Sequence, residues 1–333
     1  MKVIHYFNPE TDYALATGSR LYNPPASIAT LKRRMQLFPA TFAGCGDFIA
    51  VDSMEHVPAN SEHYDMARQK RIEIIEVGGI RDIIDGGGLS DFEIRPWGWN
   101  HTLLHRMRVS GIPEEFLKSD REIDRLRELS HRRTSLEMQK HISRHLDGYE
   151  IPAILECHSL ESALSFLHRH GDAYFKMPWS SSGRGVIHAS DFTTSRLCEW
   201  IAGGIKKQGS IMAEKAFDKS CDFATEWICR RGKTEYLGLS VFQTTGSGRY
   251  AGNIIETQQQ LWKRIERLSN EWDIKIIEAQ RNALDKIISP YYDGPVGIDM
   301  LATNDGRINP VVEINLRQTM GMAALFSQQE SAN

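Results

Sequence analysis

Acidic, amide and basic side chains alternate with apolar ones in the segment PVVEINLRQ, residues 310–318. Neighbouring side chains of a strand point to opposite faces, so this pattern predicts a strand with one polar and one apolar face. The polar face carries Glu313, Asn315 and Arg317, and the apolar face carries Val312, Ile314 and Leu316. The flanking segments GPVGIDMLA and TMGMAALF are apolar, which predicts a buried strand. Because an unpaired buried charge is costly, the polar groups need partners.

A second alternating strand precedes this one and contains Asp299. The two are joined by NDGR, residues 304–307, which is typical of a hairpin turn. A two-residue loop pairs Asp299 with Val312 on the apolar face, whereas a three-residue loop pairs Asp299 with Glu313. Gly306 supplies the left-handed conformation that a three-residue loop needs.

In the second register two carboxylates and the amide oxygen of Asn315 converge. Hard oxygen ligands with positions left for water or phosphate are what Mg²⁺ prefers. The alternative is structural: Glu313 forms a salt bridge with Arg317, and Asn315 lies on a solvated face. The residues of the hairpin leave both interpretations open.

The segment FKMPWSSSGRGVI, residues 175–187, places a strand with Lys176 before a loop of serines and glycines. Serine hydroxyls, and the amides freed by Gly183 and Gly185, can close over phosphate oxygens. The loop matches neither the Walker pattern GxxxxGK[ST] nor GxGxxG. A flexible surface turn is the alternative.

The segment IMAEKAFDKSCDF, residues 211–223, predicts a strand that ends near Glu214 and Lys215. The end of a strand can offer backbone groups to the edge of a purine. A carboxylate such as Asp222 can accept hydrogen bonds from ribose hydroxyls, as acids do in other nucleotide sites. The alternative is a surface turn with an exposed ion pair, which contributes less than about 1 kcal/mol.

Short apolar runs alternate with helical stretches in the first part of the chain, with strands predicted at 2–7, 47–51 and 72–77. This alternation predicts a small α/β domain. Residues 113–146 are charged and predict helices. The second half alternates antiparallel strands with helices, including one long helix over 257–288, and predicts an α+β arrangement.

A chain of 333 residues is too long for one simple core and predicts two or three domains. Its 41% hydrophobic and 25% charged residues are typical of soluble globular proteins. A net charge of −3 gives no bulk attraction to nucleic acid or to an anionic membrane. Neither a signal peptide nor a bilayer-spanning run is expected. Five scattered cysteines without a CxxC pair favour free thiols and a cytoplasmic location.

The order of these segments resembles the ATP-grasp superfamily. The Lys176 strand and its Ser/Gly loop are followed by E-K-x-F, then by an aspartate, and finally by an aspartate and E-x-N. The resemblance covers residues 130–320 and implies an α/β N-terminal domain before an ATP-grasp fold, whose two α+β subdomains clamp ATP. The expected domains are 1–125 for the N-terminal domain, 126–212 for the small subdomain and 213–333 for the large subdomain with the metal site.

By motif position, the resemblance implies that Asp299, Glu313 and Asn315 bind Mg²⁺, with Mn²⁺ as an alternative ion. Lys176 and Arg317 are implied to be the catalytic cations beside the transferred phosphate. The implied ATP-binding residues are Lys176, Ser180, Ser181, Ser182, Gly183, Arg184, Gly185, Glu214, Lys215, Phe217 and Asp222.

This sequence departs from the family pattern at two places. Many members begin the small subdomain with Asp-Lys, whose lysine reaches a phosphate. The matching stretch here is SHRRTS, so Arg132 or Arg133 is the expected replacement. Gly297 stands where some peptide ligases carry an arginine, which argues against an acceptor site like that of D-alanine ligases.

Substrate contacts are expected in two regions. The Gly-rich segment FQTTGSGRYAGNIIE, residues 242–256, offers Arg249, Tyr250 and Asn253, although a plain mobile loop is the alternative. The N-terminal domain of related ligases helps to bind the acceptor substrate, which makes Asn8 and Glu10 candidates.

The resemblance implies an ATP-dependent ligase that joins a carboxylate to an amine, or to a thiol, through an acyl phosphate and releases ADP and phosphate. A small-molecule kinase on the same fold and a non-catalytic ATP-binding protein are the alternatives. The expected partners are a small carboxylate and a small amine, without nucleic acid or membrane. The sequence leaves open the identity of both substrates and the oligomeric state, with a dimer among the possibilities.

Overall fold

The computed structural model describes residues 2–86, 92–146, 148–180, 185–245 and 250–331. The chain divides into two units. The first comprises Met1–Arg127, Arg317–Thr319 and Phe326–Asn333, and the second comprises Glu128–Leu316 and Met320–Leu325. The division into three domains at residues 125 and 212 stays a prediction.

The first unit is built on a four-stranded parallel sheet in the order β3-β2-β1-β4. The strands are β1 (Lys2–Tyr6), β2 (Phe48–Val51), β3 (Glu73–Glu76) and β4 (Phe92–Pro96). The helices are α1 (Thr11–Thr17), α2 (Ala26–Met35), α3 (Glu62–Gln69), α4 (Ile80–Asp85), α5 (His101–Val109) and α6 (Asp120–Leu129), the last of which contains the boundary between the units. Nearly every residue of β1 and β2 is buried, because both faces of a parallel sheet are covered. The predicted α/β class of this region is confirmed.

The sequence analysis predicted three of these strands and missed β4. The segment FEIRP ends in Pro96, which argues against a central strand. Within the described residues β4 pairs only with β1, so it lies at an edge of the sheet. A proline is tolerated there because an edge strand has a side that needs no backbone donor.

The second unit contains a smaller antiparallel sheet in the order β5-β8-β6-β7. Its strands are β5 (Ile154–Cys157), β6 (Ala173–Lys176), β7 (Val186–His188) and β8 (Ile211–Lys215). The helices in this part of the chain are α7 (Arg133–Ile142), α8 (Leu160–His170) and α9 (Thr194–Gln208). A core that includes Phe166, Phe175 and Ile201 lies between this sheet and its helices.

The larger sheet of the second unit has the order β11-β10-β9-β12-β13, and every neighbouring pair is antiparallel. Its strands are β9 (Lys219–Arg230), β10 (Lys233–Thr244), β11 (Tyr250–Asn253), β12 (Gly294–Thr303) and β13 (Ile308–Asn315). The remaining helices are α10 (Gln258–Glu266), α11 (Ile274–Ile287) and α12 (Met320–Ser331). The predicted α+β arrangement of the second half is confirmed.

The register of β9 separates two faces of this sheet. Asp222 and Ala224 stand opposite Leu301 and Asp299 of β12, and Asp299 stands opposite Glu313 of β13. Residues directly opposite each other share a face, which we call the site face. The intervening residues Phe223, Thr225 and Trp227 are buried on the other face, called the helix face. There Thr225 Oγ1 donates to Gln280 Oε1 of α11 at 2.9 Å.

The prediction of one long helix over 257–288 is wrong, because α10 and α11 are separate helices. Polar side chains between them form local bonds that compete with helix continuation. Ser269 Oγ accepts from the backbone N–H of Glu271 at 3.1 Å. Asp273 then caps α11 by accepting from the N–H of Lys275 at 3.1 Å.

None of the helices in the part of the chain that the structure describes has both the length and the apolar character needed to cross a bilayer. The five cysteines are all free thiols, as the sequence predicted.

Candidate active site

The hairpin of β12 and β13 has the register that places two carboxylates together. Asp299 stands opposite Glu313, as the three-residue-loop alternative predicted. The N–H of Thr303 donates to Arg307 O at 3.0 Å, which leaves a loop of three residues. Gly306 in this loop has φ +83°, the left-handed conformation expected of it.

The loop alone does not set this register, because the pairing shifts between Asp299 and Leu301. Leu301 pairs with Asn309, whereas Asp299 pairs with Glu313, so β13 contains extra residues at this point. Pro310 lies inside the irregularity, where its missing N–H costs no ladder hydrogen bond. The displacement is an even number of residues, so each side chain keeps its face.

The three predicted metal ligands lie together on the site face. Asn315 Nδ2 donates to Asp299 Oδ2 at 3.2 Å, and Glu313 is the cross-strand neighbour of Asp299. All three side chains are half-buried. Two carboxylates this close repel each other unless a positive charge lies nearby.

A guanidinium supplies that positive charge. Arg132 Nη2 lies 2.9 Å from Glu313 Oε1, and the Arg132 side chain is only 5% exposed. Arg133, the other candidate of the sequence, is half exposed and pairs with Glu156 at 3.1 Å. Arg132 is therefore the arginine beside the predicted metal ligands. Glu313 pairs with Arg132, whereas the structural alternative paired it with Arg317.

This donor set fits an ion that prefers oxygen ligands. Two carboxylates and one amide oxygen leave coordination positions for water and phosphate, which is the usual condition of protein-bound Mg²⁺. Within the described ranges no three His, Cys, Asp or Glu residues form a metal-binding group. Two carboxylates and one amide fit a site whose remaining ligands are water and phosphate oxygens.

Two charged residues of the smaller sheet form a buried pair. Lys176 of β6 stands opposite Met212 of β8, and Tyr174 stands opposite Glu214. Lys176 and Glu214 are thus diagonal neighbours on one face. Lys176 Nζ donates to Glu214 Oε2, and the two side chains are 9% and 14% exposed. The structure brings together the predicted phosphate-binding lysine and one residue of the predicted adenine site.

The predicted phosphate loop, residues 180–185, begins beside Arg132. Arg132 Nη2 donates to Ser180 Oγ at 3.0 Å, and its Nε donates to Met177 O at 3.0 Å. The N–H of Met177 donates to Gly185 O at 2.7 Å and closes the base of the loop. Gly185 has φ +79°, and a Cβ there would lie 2.9 Å from Ser180 Cβ. Four further predicted residues lie outside the described ranges: Ser181, Ser182, Gly183 and Arg184.

Comparison with known proteins gives structural matches only. No family model matches this sequence, and no curated protein matches it. The biotin carboxylase domain of Hydrogenobacter thermophilus 2-oxoglutarate carboxylase, solved with MgADP, ADP and bicarbonate, matches with a TM-score of 0.54 at 12% identity, over 100% of this chain and 69% of that chain. Biotin carboxylase from Campylobacter jejuni matches with a TM-score of 0.55 at 12% identity, over 98% and 69% of the two chains. N5-carboxyaminoimidazole synthetase from Staphylococcus aureus, solved with ADP, matches with a TM-score of 0.50 at 11% identity, over 98% and 78%.

This chain has the ATP-grasp fold. The similarity extends over nearly the whole chain, and at such low identity it shows the fold alone.

Other residues predicted for ATP-grasp nucleotide binding lie at and after the end of β8. Lys215 is exposed and Phe217 is half-buried. Asp222 is on the site face, where its Oδ2 accepts from Lys219 Nζ at 2.5 Å and from Thr244 Oγ1 at 2.9 Å. An ion pair, as in the alternative interpretation, is thus present between Lys219 and Asp222. Its acidic member, Asp222, shares a face with Asp299.

Arg317 follows Asn315 in sequence but belongs to the first unit. Its Nε donates to both carboxylate oxygens of Asp12, at 3.0 and 2.9 Å. Gly98 packs closely here, because a Cβ at this position would lie 3.1 Å from Arg317 Cβ. Asn8, a predicted substrate residue, is buried and bonds to Gly98 through both amide atoms, at 2.7 and 3.2 Å.

A polar cluster in the first unit surrounds Glu10, a predicted substrate residue, and the sequence analysis missed its other four members. Lys32 Nζ donates to Tyr6 Oη at 2.6 Å and to Glu10 Oε1 at 3.2 Å, and lies 3.1 Å from Asp52 Oδ2. Arg106 Nη1 donates to Tyr6 Oη at 2.9 Å and lies 2.8 Å from Asp52 Oδ1. Burial opposes ionisation of Asp52, but Lys32 and Arg106 outweigh it and lower the pKa of Asp52. We call these five residues the polar cluster.

The position of the polar cluster follows from the topology of the sheet. Tyr6 ends β1, and Asp52 comes directly after β2. The strand order turns at β1, since β2 and β3 lie on one side and β4 on the other. Open α/β sheets bind ligands outside the carboxyl ends of their strands at such a reversal. Applied to the predicted strand 47–51, this rule could have identified Asp52 as a candidate site residue from the sequence.

The remaining substrate candidates lie on the Gly-rich segment. Tyr250 of β11 is partly exposed, and burial raises its pKa. Asn253 Nδ2 donates to Met320 O at 2.7 Å, which ties its side chain to the start of α12. Arg249 lies outside the described residues.

Proposed function

We propose that this chain is an ATP-dependent ligase that joins a small carboxylate to an amine, or to a thiol. The observation that carries the proposal is the grouping of Asp299, Glu313 and Asn315 on one face, with Arg132 linking Glu313 to the base of the phosphate loop. Further support comes from proteins of the same fold that were solved with ADP or MgADP.

The proposed reaction has two steps. An oxygen of the substrate carboxylate attacks the γ-phosphorus of ATP, the bond to the β-phosphate oxygen breaks, and ADP leaves. The amine nitrogen then attacks the acyl carbon, phosphate leaves, and the amine loses a proton. Catalysis needs positive charge at the transferred phosphoryl group, which we assign to Lys176, Arg132 and Arg317. Arg317 is assigned by its place in the motif, with Asp12 fixing its guanidinium.

We assign the metal to Asp299, Glu313 and Asn315, with Mg²⁺ as the ion and Mn²⁺ as an alternative. When bound, such an ion supplies positive charge to the phosphate oxygens. We assign adenine binding to Glu214, Lys215 and Phe217, ribose binding to Asp222, and phosphate binding to the phosphate loop. The cytoplasmic location stays a prediction.

The polar cluster is proposed to contact a substrate. Lys32 Nζ bonds to Glu10 Oε1, but Glu10 Oε2 is buried and accepts no hydrogen bond from any described residue. The hydroxyl of Tyr13, three residues later, is also buried and has no hydrogen-bond partner among the described residues. An unsatisfied carboxylate oxygen is costly, so a ligand that donates an N–H or O–H is favoured here. An amine substrate has this chemistry.

The test is ADP release from ATP in the presence of pooled small carboxylates and amines, with and without hydroxylamine. A ligase releases ADP only when a carboxylate is present, and hydroxylamine traps the acyl phosphate as a hydroxamate. ADP formed with a hydroxyl compound and no hydroxamate would instead identify a kinase. Nucleotide binding without turnover in any pool would identify a binding protein.

Calorimetry of Glu313→Gln tests the metal assignment separately. The wild-type chain should bind ATP far more tightly with Mg²⁺ than without it, because the ion screens the carboxylates from the phosphates. Glu313→Gln should lose most of this dependence, whereas the exposed control Glu278→Gln on α11 should keep it. An unchanged Mg²⁺ dependence in Glu313→Gln would reject Glu313 as a ligand.

A further inference from the structure

A cavity of about 560 Å³ lies on the helix face of the large sheet. Its wall includes Cys221 of β9, whose neighbour Asp222 points to the site face. Successive side chains of a strand point to opposite faces, so the cavity is separate from the candidate active site. The remaining lining residues are Ser220, Ile254, Glu256, Gln260, Lys263, Arg264, Arg267 and Leu268.

Among the described residues, three cations line this cavity against a single carboxylate. Lys263, Arg264 and Arg267 lie on and just after the last turn of α10. Residues three and four apart share one side of a helix, so these like charges are held near one another at a cost. Arg264 pairs with Glu256, whereas Lys263 and Arg267 have no ion-pair partner within the described residues.

The charge excess is local, since the whole chain carries a net charge of −3. Three cations and one carboxylate leave an excess of two positive charges. The C-terminal end of α10 adds a partial negative charge of roughly −0.5, which does not cancel that excess. A ligand that neutralises the cavity is therefore a dianion.

The cavity wall also has an apolar part. Ile254, Leu268 and the thiol of Cys221 contribute it, and they lie among the same lining residues as the cations. A bare phosphate ion leaves this apolar surface in water, whereas a phosphate ester with a carbon body covers it. Arginine side chains match phosphate oxygens in a bidentate geometry, which favours a phosphoryl group.

We propose that this cavity binds an organic phosphate monoester, whose phosphoryl dianion lies between Lys263, Arg264 and Arg267. Its carbon body then contacts Ile254 and Leu268. The proposal is independent of the ligase function, because none of these residues belongs to the proposed ATP or metal site.

The experiment uses phenyl phosphate, inorganic phosphate and succinate as probes of the full chain, titrated by calorimetry at pH 8 without nucleotide. Phenyl phosphate should bind at least about fivefold more tightly than inorganic phosphate, and succinate should bind more weakly than both. Equal affinity for the two phosphates would overturn the organic ligand, leaving free phosphate. Succinate binding as tightly as phenyl phosphate would overturn the phosphoryl class.

Variants test whether the cavity is the site. The double variant Lys263→Glu with Arg267→Glu should weaken phenyl phosphate binding by at least about tenfold, through loss of attraction and added repulsion. The control Lys206→Glu with Lys207→Glu changes the net charge equally at exposed positions of α9 and should bind like the wild type. Arg132→Met removes a cation of the proposed ATP phosphate site and should not weaken phenyl phosphate binding, which excludes the candidate active site. If the Glu variant does not fold, Lys263→Gln with Arg267→Gln replaces it, and affinity within twofold of wild type overturns the proposal.

Cys221 provides a readout at the cavity itself. Burial raises the pKa of its thiol to about 11, so modification by a maleimide is followed at alkaline pH. A Cys45→Ser, Cys198→Ser background removes the other two cysteines that are not buried. Phenyl phosphate should slow modification of Cys221 severalfold, and an unchanged rate at saturating ligand would overturn the site.

Discussion

Arg132 contacts both the proposed metal site and the base of the proposed phosphate loop. Its Nη2 lies 2.9 Å from Glu313 and bonds to Ser180 at 3.0 Å. A guanidinium in this position is the counterion of Glu313 while no divalent ion is bound. The same charge opposes entry of a cation. A phosphate that draws Arg132 away from Glu313 would free the carboxylate, so that metal and nucleotide bind together.

Replacing Arg132 by Met should therefore affect two ligands in opposite directions. Without nucleotide, Arg132→Met should bind Mn²⁺ several-fold more tightly than wild type, because the competing charge is gone. It should bind an ATP analogue roughly tenfold more weakly, equivalent to ~1.4 kcal/mol, the low end of a hydrogen bond to a charged group. Electron paramagnetic resonance of Mn²⁺ and calorimetry of the analogue measure the two effects.

Arg133→Met is the matched control for this prediction. The Arg133 side chain is half exposed and pairs with Glu156, so its loss should change neither affinity by more than about twofold. Mn²⁺ binding by Arg132→Met that is unchanged or weaker than wild type would contradict the competition.

At the scale of elements, the register of the hairpin of β12 and β13 determines whether the proposed metal ligands share a face. Asp299 and Glu313 share a face because the loop has an odd number of residues and the irregularity adds an even number. The three-residue loop depends on Gly306 at φ +83°, and the irregularity lies around Pro310. The grouping of the proposed metal ligands therefore depends on backbone geometry several residues away from them.

Gly306→Val should reduce metal binding through the register. A strained φ costs on the order of 1–3 kcal/mol, and a one-residue slip that relieves it turns Asp299 to the helix face. Mn²⁺ affinity should fall by at least about tenfold, measured beside a urea unfolding curve. Gly232→Val is the control, because Gly232 has φ +75° in the turn between β9 and β10. If both variants lose stability equally and both keep the metal, the hairpin does not set the site.

The sequence predicted the two strands of this hairpin and their polar and apolar faces, because strict alternation specifies both faces. It left the register open between two loop lengths, and it gave no sign of the irregularity around Pro310. The sequence analysis failed where short-range polar hydrogen bonds determine where a helix ends. Ser269 and Asp273 end one helix and start another inside a continuous helical pattern. The ion-pair partner of Glu313 could not be predicted either, because Arg132 lies at the start of a helix far away in sequence.

At the scale of the whole molecule, the polar cluster shows what only tertiary structure supplies. Tyr6, Lys32, Asp52 and Arg106 come from four separate segments of the chain, and none of them stands in a motif. Burial works against the charge of Lys32, but Tyr6, Glu10 and Asp52 outweigh it and raise the pKa of Lys32. This cluster lies in the first unit, whereas the proposed metal and adenine contacts lie in the second.

The two units should therefore respond to different perturbations in calorimetry. We expect two unfolding transitions, because each unit has its own sheets and core. Lys32→Met leaves Glu10 and Asp52 without their shared cation, which costs about 3 kcal/mol for a buried pair and should lower one transition by roughly 10 °C. The exposed neighbour Arg34→Met on the same helix is the control and should change that transition little.

A magnesium complex of an ATP analogue at about 100 times its Kd adds about 2.7 kcal/mol and should raise the other transition. A single transition that both changes shift together would contradict this division of stability.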